Sequence, residues 1–186
     1  ASDVTFLEFG GNDCDFDWKT IAEDPASEHT PKTILESFKK QFLLLVDRVR
    51  ALGSKPMILS LSEISILSQC VADEISFVRA RTDFFGKITE YYFSFISRFM
   101  NDEQKANVVK WLGGDINIIT RWHEMYNRVL FEISESTNTP IIDITTPFEK
   151  YNGSFMSLMC SDGIHPNAMG HKLIANSIVG ACEGIY

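Results

Sequence analysis

Two short stretches hold the residues of this chain best suited to bond-breaking chemistry. Near the carboxyl end, Asp162-Gly163-Ile164-His165-Pro166-Asn167 sets an acid and a histidine three residues apart in a Gly- and Pro-punctuated loop. A histidine working as general base needs a neighbouring carboxylate to fix its tautomer and stabilise its protonated form, and a D-x-x-H loop supplies both groups. Near the amino end, Gly10-Gly11-Asn12-Asp13 follows a short apolar run. An Asn amide on such a turn can donate to a developing oxyanion, an effect worth about 10²–10³ in rate where such a donor is removed. Asn12, Asp162 and His165 are thus of types that can serve as oxyanion donor, orienting acid and base, two thirds of an ester-hydrolysis site.

Each of these residues also has a plainer reading. Asp162 before Gly163 suits an Asx-turn, Asn12 suits a turn that tolerates the left-handed region, and His165 can make a structural hydrogen bond. Asp13 reads as a structural acceptor, His171 as a first-turn helix residue, and His29 and His123 as non-catalytic. A metal held by Asp13, Asp162 and His165 lacks any metal-ligand motif. As nucleophiles, Ser60 and Ser62 lie near the end of a predicted strand but lack the G-x-S-x-G or G-D-S turn that projects a hydroxyl.

The elements that must position these groups follow from periodicity. Val4 to Phe9 reads as a buried strand that ends at the Gly10-Gly11 turn, and residues 14–32 as a polar loop on the site's side. Thr33-Ile34-Leu35-Glu36 fits a capping box. The apolar positions Leu35, Phe38, Phe42, Leu45, Val46, Val49 and Leu52 then define a helix that Gly53 stops. Lys55 to Ser60 is a second strand, so strand, helix, strand make a right-handed βαβ unit with parallel pairing. Residues 61–112 are harder to read: helices are expected over Ile64–Arg81 and Glu90–Met100, but periodicity leaves Tyr91 to Phe95 open between helix and strand. Tyr91 to Phe95, with Trp18 and Trp111, reads mostly as core, part of it suited to lining an acyl or sugar pocket. Asp115 is a plausible N-cap for a helix along Ile118, Ile119, Trp122, Met125, Tyr126, Val129, Leu130 and Ile133. Ile141 to Ile144 forms a third strand, a loop spans 145–161, and Asn167 caps a last helix facing inward through Leu173, Ile174, Ile178 and Cys182.

The bulk numbers narrow the classes. A length of 186 residues suits one domain with a real core. A formal charge of −8 opposes nucleic acid or anionic membrane as main partner, and no apolar run approaches the roughly 20 residues of a membrane span. Cys14, Cys70, Cys160 and Cys182 show neither C-x-x-C spacing nor the density of a disulfide framework and read as free thiols, which leaves the compartment undetermined.

In this order and setting the chain resembles the SGNH, or GDSL-like, esterases and lipases. Gly10, Gly11, Asn12 and Asp13 match the family's G-x-N-D block, and Asp162 and His165 match its D-x-x-H block. Gly163-Ile164-His165-Pro166-Asn167 followed by Gly170-His171, the run Asn12 to Trp18 and the helix from Trp122 to Asn127 are also similar to the family. The resemblance implies a three-layer α/β/α, flavodoxin-like parallel sheet and a serine ester hydrolase that needs no cofactor. It implies Asn12 as oxyanion donor, His165 as base and then acid, and Asp162 as its orienting carboxylate. The substrate would be a small-molecule ester, an acylated carbohydrate or a lipid, with its choice set in the region 61–100. The G-D-S block carrying the serine, and the glycine block that completes the oxyanion hole, have no match in residues 1–186. Since the family carries both before G-x-N-D, and the chain begins Ala1-Ser2-Asp3-Val4 directly on a strand pattern, the expectation is one SGNH domain over 1–186 that lacks its first strands. The remainder would then come from preceding sequence or a complementary fragment. The alternative is a non-catalytic binding module, an inactive remnant that keeps the pocket without the nucleophile.

Overall fold

Among the described residues, strand β2 (Lys55–Leu59) is the centre of a three-stranded parallel sheet, between β1 (Val4–Leu7) and β3 (Ile141–Ile142). The computed structural model describes residues 2–61, 100–115, 118–152, 155–160 and 165–183. Between the strands run α1 (Trp18–Glu23), α2 (Leu35–Ala51), α3 (Asp102–Gly114) and α4 (Ile118–Thr137). After β3 come the short α5 (Thr146–Glu149), a 3-10 turn (Phe155–Leu158) and α6 (Ala168–Glu183). The helices expected over Ile64–Arg81 and Glu90–Met100 fall almost wholly outside the described residues.

A proline in a central strand usually removes a ladder bond, but Pro56 removes none. In a parallel strand alternate N–H groups face alternate neighbours. Lys55 N–H bonds Asp3 O on the β1 side, whereas Ile58 and Ser60 N–H bond Pro140 O and Ile142 O on the β3 side. Position 56 would point towards β3, whose first paired residue, Ile141, stands opposite Ile58.

Alternate residues of β2 enter opposite layers, as the strand's two-residue period requires. Ile58 joins Leu7, Phe38, Phe42, Val46, Val49, Tyr126, Leu130 and Ile133, the cluster under α2 and α4. Met57 and Leu59 join Ile142, Ile144, Phe148, Leu158 and Ile174 under α6. With each buried aliphatic or aromatic side chain contributing about 1.5–3 kcal/mol, these two clusters hold helices on both faces of the sheet. A third cluster of Phe16, Ile21, Ala22, Val108, Leu112 and Ile119 binds α1 to α3. The chain is thus α/β, with a small parallel sheet between helical layers. On the α6 face β1 is less well covered: Phe6 stands opposite Met57 yet is 42% exposed.

Several local expectations are corrected. No capping box forms at Thr33, because the N-cap of α2 is Ile34, without a side-chain bond. The Thr33 backbone is committed elsewhere: its N–H bonds Asp13 O and its carbonyl accepts the Tyr126 hydroxyl. Asp115 is the C-cap of α3, not the N-cap of α4, and its carboxylate pairs with Arg121. Leu52 is 66% exposed, since it follows the last helical turn rather than extending the buried stripe. β1 and β3 are each two residues shorter than expected, and the presumed loops hold α1, capped by Asp17, and α5. Gly53 does end α2 in a left-handed conformation (φ +80°), with Gly53 N–H on Arg50 O and Ser54 N–H on Val49 O.

Candidate functional site

In an open parallel sheet, ligands bind beyond the carboxyl ends of the strands. β1 delivers Gly10 to Asp13 there. Gly10 takes φ +130°, and a Cβ at that position would lie 2.9 Å from Leu61 Cδ2, so both backbone and packing require glycine. Cys14 closes the turn with its N–H on Gly10 O at 2.9 Å and its Sγ on Gly11 O at 3.3 Å. Burial, followed by the nearby Asp15 charge, pushes the Cys14 thiol up to about 12, so it is a packed, protonated group. Asn12 is exposed, and its amide has no hydrogen-bond partner among the described residues. The segment beyond is stitched down by Lys32 N–H on Asp15 O, Thr33 N–H on Asp13 O and Trp18 Nε1 on Asp15 Oδ1.

At the ends of β2 and β3 the polar groups form a closed network. Ser60 is fully buried, its Oγ accepting the Ile144 N–H at 2.9 Å and lying 3.4 Å from Asp143 Oδ1 and 3.2 Å from Thr145 Oγ1. A hydroxyl so placed is a strut between two strand ends and has no open side for a substrate carbonyl. Burial pushes the Asp143 carboxyl up, but donation from the Thr146 hydroxyl, the Thr146 and Thr145 N–H groups and Ser60 outweighs it, leaving a net lowering. Asn127 on α4 completes the network by gripping the Leu61 backbone. Sequence reasoning gave Asn127 and Asp143 no role; a polar Asn beside the apolar stripe of α4 was the available signal.

His165 belongs to the loop that enters α6, and that loop is firmly held. Cys160 N–H bonds His165 O at 2.7 Å, and Asn167 N–H bonds Leu158 O at 2.8 Å. The Asn167 amide donates to Ser157 O and Met159 O, while its Oδ1 accepts the Met169 and Gly170 N–H groups, as an N-cap should. Gly170 lies so close to this turn that a Cβ would fall 2.4 Å from Leu158 O. The His165 side chain is exposed. Asn12 and His165 therefore stand on separate, individually braced loops; Asp162 and Ser62 lie outside the described residues. His123 is buried in α4, His29 Nε2 lies 2.7 Å from Asp24 O, and His171 is exposed.

Among the described residues no group of three or more His, Cys, Asp or Glu side chains could hold a metal ion, and no helix is long and apolar enough to cross a membrane. A cavity of about 570 Å³ opens at the amino ends of the strands, lined by Val4, Arg50, Ser54, Met57, Asn138 and Cys182. It lies at the opposite edge of the sheet from Asn12.

Comparison with known proteins gives one family. The model of the GDSL-like Lipase/Acylhydrolase family matches residues 1–173. No curated protein matches the chain.

Proposed function

The chain belongs to the GDSL-like lipase/acylhydrolase family, and from that premise we propose that it is a serine ester hydrolase whose acid–base and oxyanion groups are His165, Asp162 and Asn12. In this reading a serine oxygen attacks the ester carbonyl while His165 takes its proton. Asp162 holds the imidazole in the right tautomer, and Asn12 donates to the oxyanion. His165 then gives its proton to the leaving alcohol, and water, activated by His165, releases the acyl group. No cofactor is required.

The observation that carries the reading is the Gly10 turn. Its backbone and packing are tightly specified, and at its tip stands an exposed amide with no partner among the described residues. A donor held on a turn of fixed course and left accessible is the arrangement that oxyanion stabilisation requires. The braced loop that carries an exposed His165 gives further support.

The nucleophile belongs, in the same reading, outside residues 1–186. No G-D-S turn occurs in them, and Ser60 is consumed by its buried network. A preceding strand paired to the outer edge of β1 would also cover the exposed Phe6, which supports one domain whose first strands are supplied by other sequence. The expected substrate is a small-molecule ester, an acylated carbohydrate or a lipid.

The test is hydrolysis of p-nitrophenyl acetate by the protein together with the segment that carries the serine. His165→Ala should lower kcat by about 10²–10⁴-fold. Full activity in that variant would remove His165 from the mechanism. Ester binding without hydrolysis in the parent would favour a binding module.

A further inference from the structure

Asn127 treats Leu61 as a neighbouring strand would. Its Oδ1 accepts the Leu61 N–H at 2.7 Å, and its Nδ2 lies 3.3 Å from the Leu61 carbonyl oxygen. The Thr145 hydroxyl donates to the same carbonyl at 2.6 Å. Both backbone groups of Leu61 are therefore fixed, two residues past the end of β2, where the sheet no longer provides partners. The Leu61 side chain is 5% exposed and lies against Gly10, its Cδ2 and Cδ1 at 2.9 and 3.3 Å from where a Cβ would sit. Gly10 is the residue whose φ of +130° sets the course of the turn, and Asn12 is two residues further on. A continuous set of contacts thus runs from the α4 amide through Leu61 to the turn that presents Asn12.

We infer that Asn127 is a positioning residue for the oxyanion donor: by clamping Leu61 it holds the wedge that keeps the Gly10 turn, and so the Asn12 amide, in place. The inference rests on the reading that Asn12 is that donor. Glycine has unusual conformational freedom, so without the wedge Gly10 can relax within its broad allowed region and carry Asn12 with it. A displaced oxyanion donor weakens binding of the transition state rather than of the substrate, and the loss should appear in kcat and not in KM.

A double-mutant cycle separates this role from general support of the fold. Asn12→Ala, Asn127→Ala and their combination are compared in the serine-containing protein with p-nitrophenyl acetate. Asn127→Ala should lower kcat about 10- to 10²-fold, misplacement of a catalytic group by about 1 Å being able to cost as much, with KM within about twofold. In the Asn12→Ala background the same change should lower kcat less than about twofold, because the group it positions is already gone. Equal losses in both backgrounds, or a parent-like kcat for Asn127→Ala, would overturn the inference. Should circular dichroism show that Asn127→Ala does not fold, Asn127→Asp keeps an acceptor for the Leu61 N–H and loses the donor to its carbonyl, and the cycle is read on that variant by the same criteria. An Asn12→Ala protein with undiminished kcat would overturn the oxyanion reading and this inference with it. A loss in Asn12→Ala but none at position 127 would overturn the positioning role alone.

Discussion

At the scale of the residue, burial and hydrogen bonding separate the groups that can react from those that only resemble reactive ones. Ser60 stands at a strand's carboxyl end, where sites form, yet its oxygen is fully enclosed and bonded to the Ile144 N–H. Cys14 sits two residues from Asn12, but burial and the Asp15 charge raise its thiol to about 12, far above neutral pH. Thiolate, not thiol, is the reacting species. In the folded protein Cys14 should therefore resist alkylation by iodoacetamide at pH 8, while the half-buried Cys160 and Cys182 are modified sooner; peptide mapping after a timed pulse reads the order. Cys14 labelled as fast as Cys160 would mean that the Gly10 turn opens readily. That outcome would also weaken the case for a preset Asn12.

At the scale of the element, two glycines show that the same residue type can be required for different reasons. Gly53 ends α2 with φ +80° and has open space where a side chain would go. Gly170, in the first turn of α6, faces the Leu158 carbonyl oxygen at 2.4 Å and Pro166 Cβ at 2.8 Å from a would-be Cβ. Gly53→Ala should cost about 1–2 kcal/mol, the penalty of a left-handed L-residue. Gly170→Ala should cost about 1–3 kcal/mol through overpacking, and because backbone must move it should also loosen the Asn167 cap and the His165 loop. Urea unfolding gives the two stabilities, and amide exchange at Met169 and Gly170, the donors to Asn167 Oδ1, tells the mechanisms apart. Unchanged protection there in Gly170→Ala would mean that the helix end absorbs the methyl group without disturbing the loop.

At the scale of the whole molecule, the α/β fold closes the carboxyl edge of its sheet with polar ties between elements distant in sequence. Asp143 is central to these, accepting from Ser60 beyond β2 and from Thr145 and Thr146 at the start of α5. Its carboxyl lies below its ordinary value of 3.8 in the folded protein, so the folded state binds its proton less readily than the unfolded chain does. The resulting stabilisation is present above the unfolded pKa and is lost as pH falls through the lower, folded one. Between pH 6 and pH 3 the parent should therefore lose more stability than Asp143→Asn, as read by the shift in urea midpoint. Identical shifts in the two proteins would show that Asp143 does not couple the strand ends.

Much of this was written in local sequence. The periodic stripe from Phe38 to Val49 and the glycine at 53 specify α2, because a helix buries every third or fourth residue and a left-handed stop favours glycine. The alternation of Met57, Ile58 and Leu59 between two layers follows from the strand's period of two. Gly10 to Asp13 and Asp162 to His165 carried enough of a family's pattern to point to ester hydrolysis, and the family match over residues 1–173 agrees. Local signals failed where a group's partner lay far along the chain. Thr33 looked like a cap until Asp13 and Tyr126, the latter 93 residues away, claimed its backbone. Ser60 already read as a poor nucleophile for want of a projecting turn, but that Ile144 takes up its oxygen was not legible, and Asn127 looked like one more residue of an amphipathic helix until the fold brought it to Leu61. Hydrophobic period and turn chemistry are properties of neighbours in sequence and can be read there. Which buried polar groups satisfy one another depends on contacts across 66 to 93 residues, and only the packed tertiary structure decides those.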